Sequence, residues 1–215
     1  MKKWAFLLIT TWLLAGCATA PAQAKLPYEA WRLGFLAPPY MEAWTEDAVI
    51  EDVRGRVFTR YDSGTVAIGY SGDPAGWPKT YSIGAGRHVI GADLPKRIYV
   101  RWQSLVEPQT YRITLEIPES VRKLMMTKAD SLAVPGRYDY QNAVVIGLAP
   151  GGWVKVWVRN PGGEGVEVLC QHAEIEPKGP DQGKYEGRYV TLPAKAKEYI
   201  SRNPIPYDSW KCPGA

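Results

Sequence analysis

Over much of this chain apolar and polar residues alternate one by one, the period of a strand with one buried and one wet face. In TYRITLEI, Tyr111, Ile113, Leu115 and Ile117 alternate with Arg112, Thr114 and Glu116. In RIYVRW, Ile98, Val100 and Trp102 alternate with Tyr99 and Arg101. WVKVWVR is different: Val154, Val156 and Val158 take one face, Trp153 and Trp157 the other, with Lys155 between them. That second face fits either a surface platform of indoles or a second buried face lying under a helix. Patterning predicts strands at Glu29–Leu36, Val49–Tyr61, Thr65–Tyr70, Lys79–Ile83, His88–Ile90, Arg97–Ser104, Thr110–Ile117, Asn142–Leu148, Trp153–Arg159 and Gly165–Cys170. Two helices are expected. One runs from Val121 to Lys128 behind Pro118-Glu119-Ser120, the other from Pro193 to Arg202, where Asn203-Pro204 stops it.

GLAPGGWVKVWVRNPGGEG, beginning at Gly147, resembles a phosphate cradle only in its glycines. A phosphate loop leads into a helix N-terminus, whereas here each glycine pair leads into a strand pattern. The stretch therefore reads as three strands of a meander. SIGAGRHVIGAD fails as a dinucleotide fingerprint for the same reason, since β-like residues follow Gly84-Ala85-Gly86. With 21 glycines and 18 prolines in 215 residues, the chain is punctuated for many short strands. The expected architecture is one mostly β domain over residues 26–215, an antiparallel sandwich or barrel-like meander with two short α-helices.

The N-terminal residues carry the most specific signal. Lys2 and Lys3 precede an apolar run, Trp4 to Ala15, which is too short to span a bilayer and reads as a signal peptide over residues 1–16. Leu14-Ala15-Gly16-Cys17 matches a bacterial lipobox, which makes Cys17 the lipidation site and residues 17–25 a lipidated cysteine and flexible tether. Buried acyl chains at about 0.8 kcal/mol per CH₂ hold such a protein on its membrane. Ala18 is not the Asp that the enteric sorting rule reads for inner-membrane retention, so the expected location is the outer membrane, facing the periplasm.

This placement changes how charge and cysteines are read. Loss of Lys2 and Lys3 takes the formal charge from +4 to +2, without a basic cluster suited to nucleic acid. Cys170 and Cys212 remain, either as a disulfide in an oxidising compartment or as two buried thiols. A bond between them would contribute about 4 kcal/mol in the chain-entropy account and pin the tail IPYDSWKCPGA.

Tests for catalysis return little. His88 and His172 have no zinc-spaced partners. Ser63 and Ser71 sit in turn-like contexts and not in a nucleophile elbow. No catalytic, metal or cofactor residue is assigned, and the chain is expected not to be an enzyme. Glu46, Asp47, Glu51 and Asp52 form an acidic cluster better suited to meeting a basic partner than to glycosidase chemistry. These four, with Trp153 and Trp157, are the candidate partner-binding residues.

LPKRIYVRWQSLVEPQTYRITLEIP, GLAPGGWVKVWV and the closing IPYDSW, with the lipobox ahead of them, resemble a family of Gram-negative lipoproteins known as a domain of unknown function. The resemblance covers nearly all of the mature chain. It implies an immunity lipoprotein, a protein that neutralises a phospholipase or another toxin delivered by type VI secretion. The expected mechanism is steric, a rigid surface covering the toxin's active site. The alternative is an envelope-maintenance lipoprotein that holds glycan or peptidoglycan through Trp153 and Trp157.

Overall fold

The computed structural model describes residues 25–66, 68–77, 86–131, 134–160 and 163–214. The signal peptide, Cys17, nearly all of the tether and the expected strand Lys79–Ile83 lie outside the described residues. In chain order the strands are β1 (Ala30–Leu36), β2 (Ala43–Asp52), β3 (Val57–Phe58), β4 (Gly64–Thr65), β5 (Arg87–Ile90), β6 (Pro95–Ser104), β7 (Gln109–Glu116), β8 (Lys128–Asp130), β9 (Tyr138–Tyr140), β10 (Ala143–Ala149), β11 (Trp153–Arg159), β12 (Val166–His172) and β13 (Glu174–Ile175). The two α-helices are α1 (Glu119–Met125) and α2 (Ala194–Ile200).

Two sheets form a sandwich. The first runs β12-β11-β10-β1-β5 and the second β13-β7-β6-β2-β3, with β4 also on β2; neither closes into a barrel. Their inward faces make one core. Trp31, Leu33, Phe35, Val144, Ile146, Leu148, Val154, Val156 and Val158 of the first sheet meet Ala48, Ile50, Ile98, Val100, Trp102 and Leu115 of the second. These are the positions that period two assigns to the buried face of each strand.

Several expectations need correction. The single strand expected over Val49–Tyr61 is a hairpin, β2 to β3, because Asp52 turns the chain. Its carboxylate accepts the N–H groups of Arg54 (2.9 Å) and Arg56 (3.0 Å), and Gly55 takes φ 75°. The strand expected at Thr65–Tyr70 shrinks to Gly64–Thr65. The first helix starts two residues early and ends at Met125, since Lys128 already pairs with Tyr140 in a β8–β9 hairpin that patterning missed. One pair, β1 with β10, is parallel. After β1 the chain crosses to the second sheet, returns once as β5 antiparallel to β1, and crosses again as β6 and β7. It then re-enters the first sheet through Asn142 beside the start of β1, so β10 runs the same way as β1.

The meander β10-β11-β12 is as expected, antiparallel throughout. Its first glycine turn brings Gly151 and Gly152 to φ 74° and 75°, conformations that a side chain resists. Gly147 has a different task. It lies within β10 opposite Lys155, and a Cβ there would come within 2.4 Å of Trp77 and 2.8 Å of Trp157.

Candidate functional site

The two sheets treat their outward faces in opposite ways. The outer face of the first is sealed. Leu36, Val145 and Trp157 pack there with Trp77, and beside them Met41, Val106, Ala149 and Trp210 gather Trp153, Leu192, Tyr199, Ile200 and Ile205. The cover is the C-terminal segment with α2. Trp210 is fully buried, and its indole N–H donates to the carbonyls of Pro74 (3.1 Å) and Gly76 (3.0 Å). Cys170 of β12 and Cys212 of the tail sit at disulfide distance, with Cα atoms 5.6 Å apart.

The outer face of the second sheet carries rows of charge. Cross-strand register sets Asp47, Arg101, Arg112 and Glu174 in one row, Val49, Tyr99 and Thr114 in the next, and Glu51, Arg97 and Glu116 in a third. Asp47 facing Arg101, Arg112 facing Glu174, and Arg97 between Glu51 and Glu116 favour this register, and they flank the like pair Arg101 and Arg112 with carboxylates. Lys96 Nζ lies 3.0 Å from Glu51, Arg97 pairs with the other Glu51 oxygen, and these two cations hold the Glu51 carboxyl below its ordinary range. Arg112 reaches Glu174 at 3.4 Å and Glu176 at 3.5 Å.

The four acidic candidates separate once folded. Glu46 occupies a β-bulge, where the register slips between Thr45 and Asp47. Its buried carboxylate is gripped by Arg101 (2.5 Å), Gln103 (2.9 Å) and the N–H of Asp181 (2.6 Å), so the turn after Pro180 lies over it. Burial, then repulsion from Glu46, raises the Asp181 carboxyl. Asp52 is fully buried at the β2–β3 turn. Burial alone would raise its pKa, but N–H donors from Asp93, Arg56 and Arg54, with the Arg56 guanidinium, outweigh that and lower it. Asp47 and Glu51 therefore remain as the members of the cluster on the open face. Trp157 is buried with only 3% exposure, its ring edge-on to Trp77 at 5.4 Å. Trp153 is half-buried and edge-on to His172 at 4.6 Å.

At the border of the open face lies a groove of about 420 Å³ lined by Tyr99, Arg112, Thr114, Gln171, His172 and Glu174. Sequence reasoning assigned these residues no binding role. The wet half of TYRITLEI was visible, but nothing local said that β12 of the other sheet would stand beside it. A second cleft, about 300 Å³, is lined by Tyr40, Tyr70, Tyr199, Lys195, Glu198 and Asn203. Tyr40 stacks on Tyr199 at 4.0 Å, and the Tyr70 hydroxyl donates to the buried Glu42. Burial raises the Glu42 carboxyl; burial and this bond push the Tyr70 phenol up to about 12. Among the described residues no group of three or more His, Cys, Asp or Glu side chains is placed to hold a metal ion.

The family described as Protein of unknown function (DUF2931) has a model that matches residues 18–208. The chain belongs to this DUF2931 family. The matched span takes in both sheets, α2 and all the acidic and tryptophan candidates, and ends just before Trp210 and Cys212. No curated protein and no solved structure matches the DUF2931 chain significantly.

Proposed function

We propose that this DUF2931 protein is a lipoprotein, anchored through Cys17 at the outer membrane and facing the periplasm, that works by binding another protein. Its most concrete form is an immunity protein that covers the active site of a type VI secreted toxin such as a phospholipase. The observation that carries this reading is the asymmetry of the sandwich. One outer face is sealed by the chain's own tail, while the other is rigid, hydrogen-bonded sheet that presents Asp47, Glu51, Arg97, Tyr99, Arg112 and Glu116. Rigid strands suit steric blocking because little order is lost on binding. Charge rows of both signs suit selective pairing with one partner.

The test is co-expression in the periplasm with the toxin encoded beside this gene. Survival, together with a stable complex on gel filtration, supports the reading. Continued killing with both proteins folded and present refutes it. Cys17→Ser should release the protein from the membrane fraction; unchanged anchoring would defeat the lipid assignment.

One observation favours a second reading, retention of glycan. The cleft of Tyr40, Tyr70 and Tyr199 beside Lys195, Glu198 and Asn203 joins aromatic rings to hydrogen-bonding groups, as sugar sites do. Retention of soluble peptidoglycan fragments that is lost in Tyr70→Ala would support it.

A further inference from the structure

The open side of the sandwich contains an unfinished sheet edge. β13 pairs with β7 only through Glu174 with Arg112 and Ile175 with Tyr111, followed by a bond from the Glu176 N–H to the Thr110 carbonyl at 2.9 Å. β7 itself runs on to Glu116. Backbone groups alternate in direction along a strand, and Ile117 donates the opposite way, to Lys96 of β6. The parity that turns Thr110 and Arg112 toward β13 therefore aims the N–H and C=O groups of Thr114 and Glu116 outward, where no strand among the described residues meets them.

The surroundings of this edge differ on its two sides. Toward the core, Ile113 of β7 and Val168 and Leu169 of β12 are partly buried and still show apolar surface. Toward the outer face stand Thr114, Glu116, Arg112 and Glu174, with Glu176 beneath. Three carboxylates here meet one guanidinium, that of Arg112, which already reaches Glu174 and Glu176. Glu116 has no ion pair among the described residues, because its cross-strand neighbour Arg97 turns to Glu51. The groove described above is the upper end of this slot.

We infer that the slot receives an extended segment of a protein partner, added as a strand along Ile113–Glu116, in which apolar and basic residues alternate. A strand sends successive side chains to opposite faces, so one set enters between Ile113 and Leu169 while the other meets Glu116 and Glu174. Main-chain bonds to Thr114 and Glu116 give affinity, and the acidic rim selects a cationic segment. This inference rests on the protein-binding reading and locates the contact.

The probe is a capped synthetic peptide of alternating valine and lysine, added to the ¹⁵N-labelled protein. Amide exchange at Thr114 and Glu116 should slow by about tenfold or more. A valine–glutamate peptide should give no slowing. Glu116→Lys, which leaves the backbone intact, should weaken the lysine peptide and admit the glutamate one. Thr114→Pro, checked for folding by circular dichroism, should abolish both the binding and the protection. Lysine-peptide binding that leaves these two amides exchanging freely, or equal binding of both peptides, overturns the slot. Concentration-dependent protection without peptide would make a second copy the occupant and also overturns it. A toxin complex that forms while Thr114 and Glu116 stay unprotected sinks the slot and leaves the binding role standing.

Discussion

The outer faces of the two sheets are built from strands of similar length, yet one behaves as core and the other as surface. β10 reads AVVIGLA and is buried at every position, whereas β7 reads QTYRITLE and leaves Thr114 and Glu116 exposed on its outer face. The difference lies in what the rest of the chain does. The tail, through Trp210, α2 and Cys212, closes over β10 and β11, and the Trp77 loop joins it. On the second sheet, among the described residues, the segment from Pro180 to Val190 reaches across at one end, where the Asp181 N–H meets Glu46 and the Val190 N–H meets Gln103. A face sealed by this much of the chain is structural; the face left open is the one that the proposed partner would meet.

The comparison breaks most readily on the sealed side. Trp210→Ala removes a fully buried indole and leaves the Pro74 and Gly76 carbonyls without their donor, so it should cost about 4 kcal/mol in chemical denaturation. A cost below about 1 kcal/mol would mean that the tail does not seal this face. On the open side the largest effect should come from below the charge rows. Arg101→Met takes away the cation of the buried Glu46 and should cost about 2 kcal/mol, less than a fully orphaned charge because Gln103 and the Asp181 N–H remain. If melting is unchanged, the bulge is not held by this pair.

Acid should separate the faces more gently. Glu51 and Asp52 have folded-state pKa values below their ordinary 4.5 and 3.8. Their contribution is therefore fully present above those values and is lost as the pH falls through the depressed folded-state values. The tryptophan packing of the sealed face has no such dependence. Hydrogen exchange followed from pH 6 to pH 2.5, corrected for intrinsic rates, should show the β2–β6 edge and β2–β3 turn loosening before β10 and β11. Simultaneous loss across both sheets would remove the distinction.

How much of this was legible beforehand follows the range of the forces. Alternation in TYRITLEI and RIYVRW gave the strands and their wet faces, because side-chain direction is local. WVKVWVR signalled two apolar faces, but whether the indoles met solvent or protein depended on Trp77 and a tail some fifty residues downstream, which periodicity cannot see. The acidic cluster looked continuous in sequence. A bulge and a turn-forming Asp divided it, leaving Glu46 and Asp52 inside and Asp47 and Glu51 on the face. The unfinished edge of β7 had no local signal at all, since it exists because the chain runs with β11 as β12 up to His172 and joins β7 only from Glu174.

The most direct test of the central claim is hydrogen-exchange mapping of the protein with the product of the neighbouring gene, where the proposed function places its toxin partner. The account predicts protection over β7 and the outward residues of β6, at Tyr99, Arg101, Thr114 and Glu116, with α2 and the tail unchanged. Protection confined to α2, the tail or the Tyr40–Tyr199 cleft, with β6 and β7 exchanging as in the free protein, would contradict it.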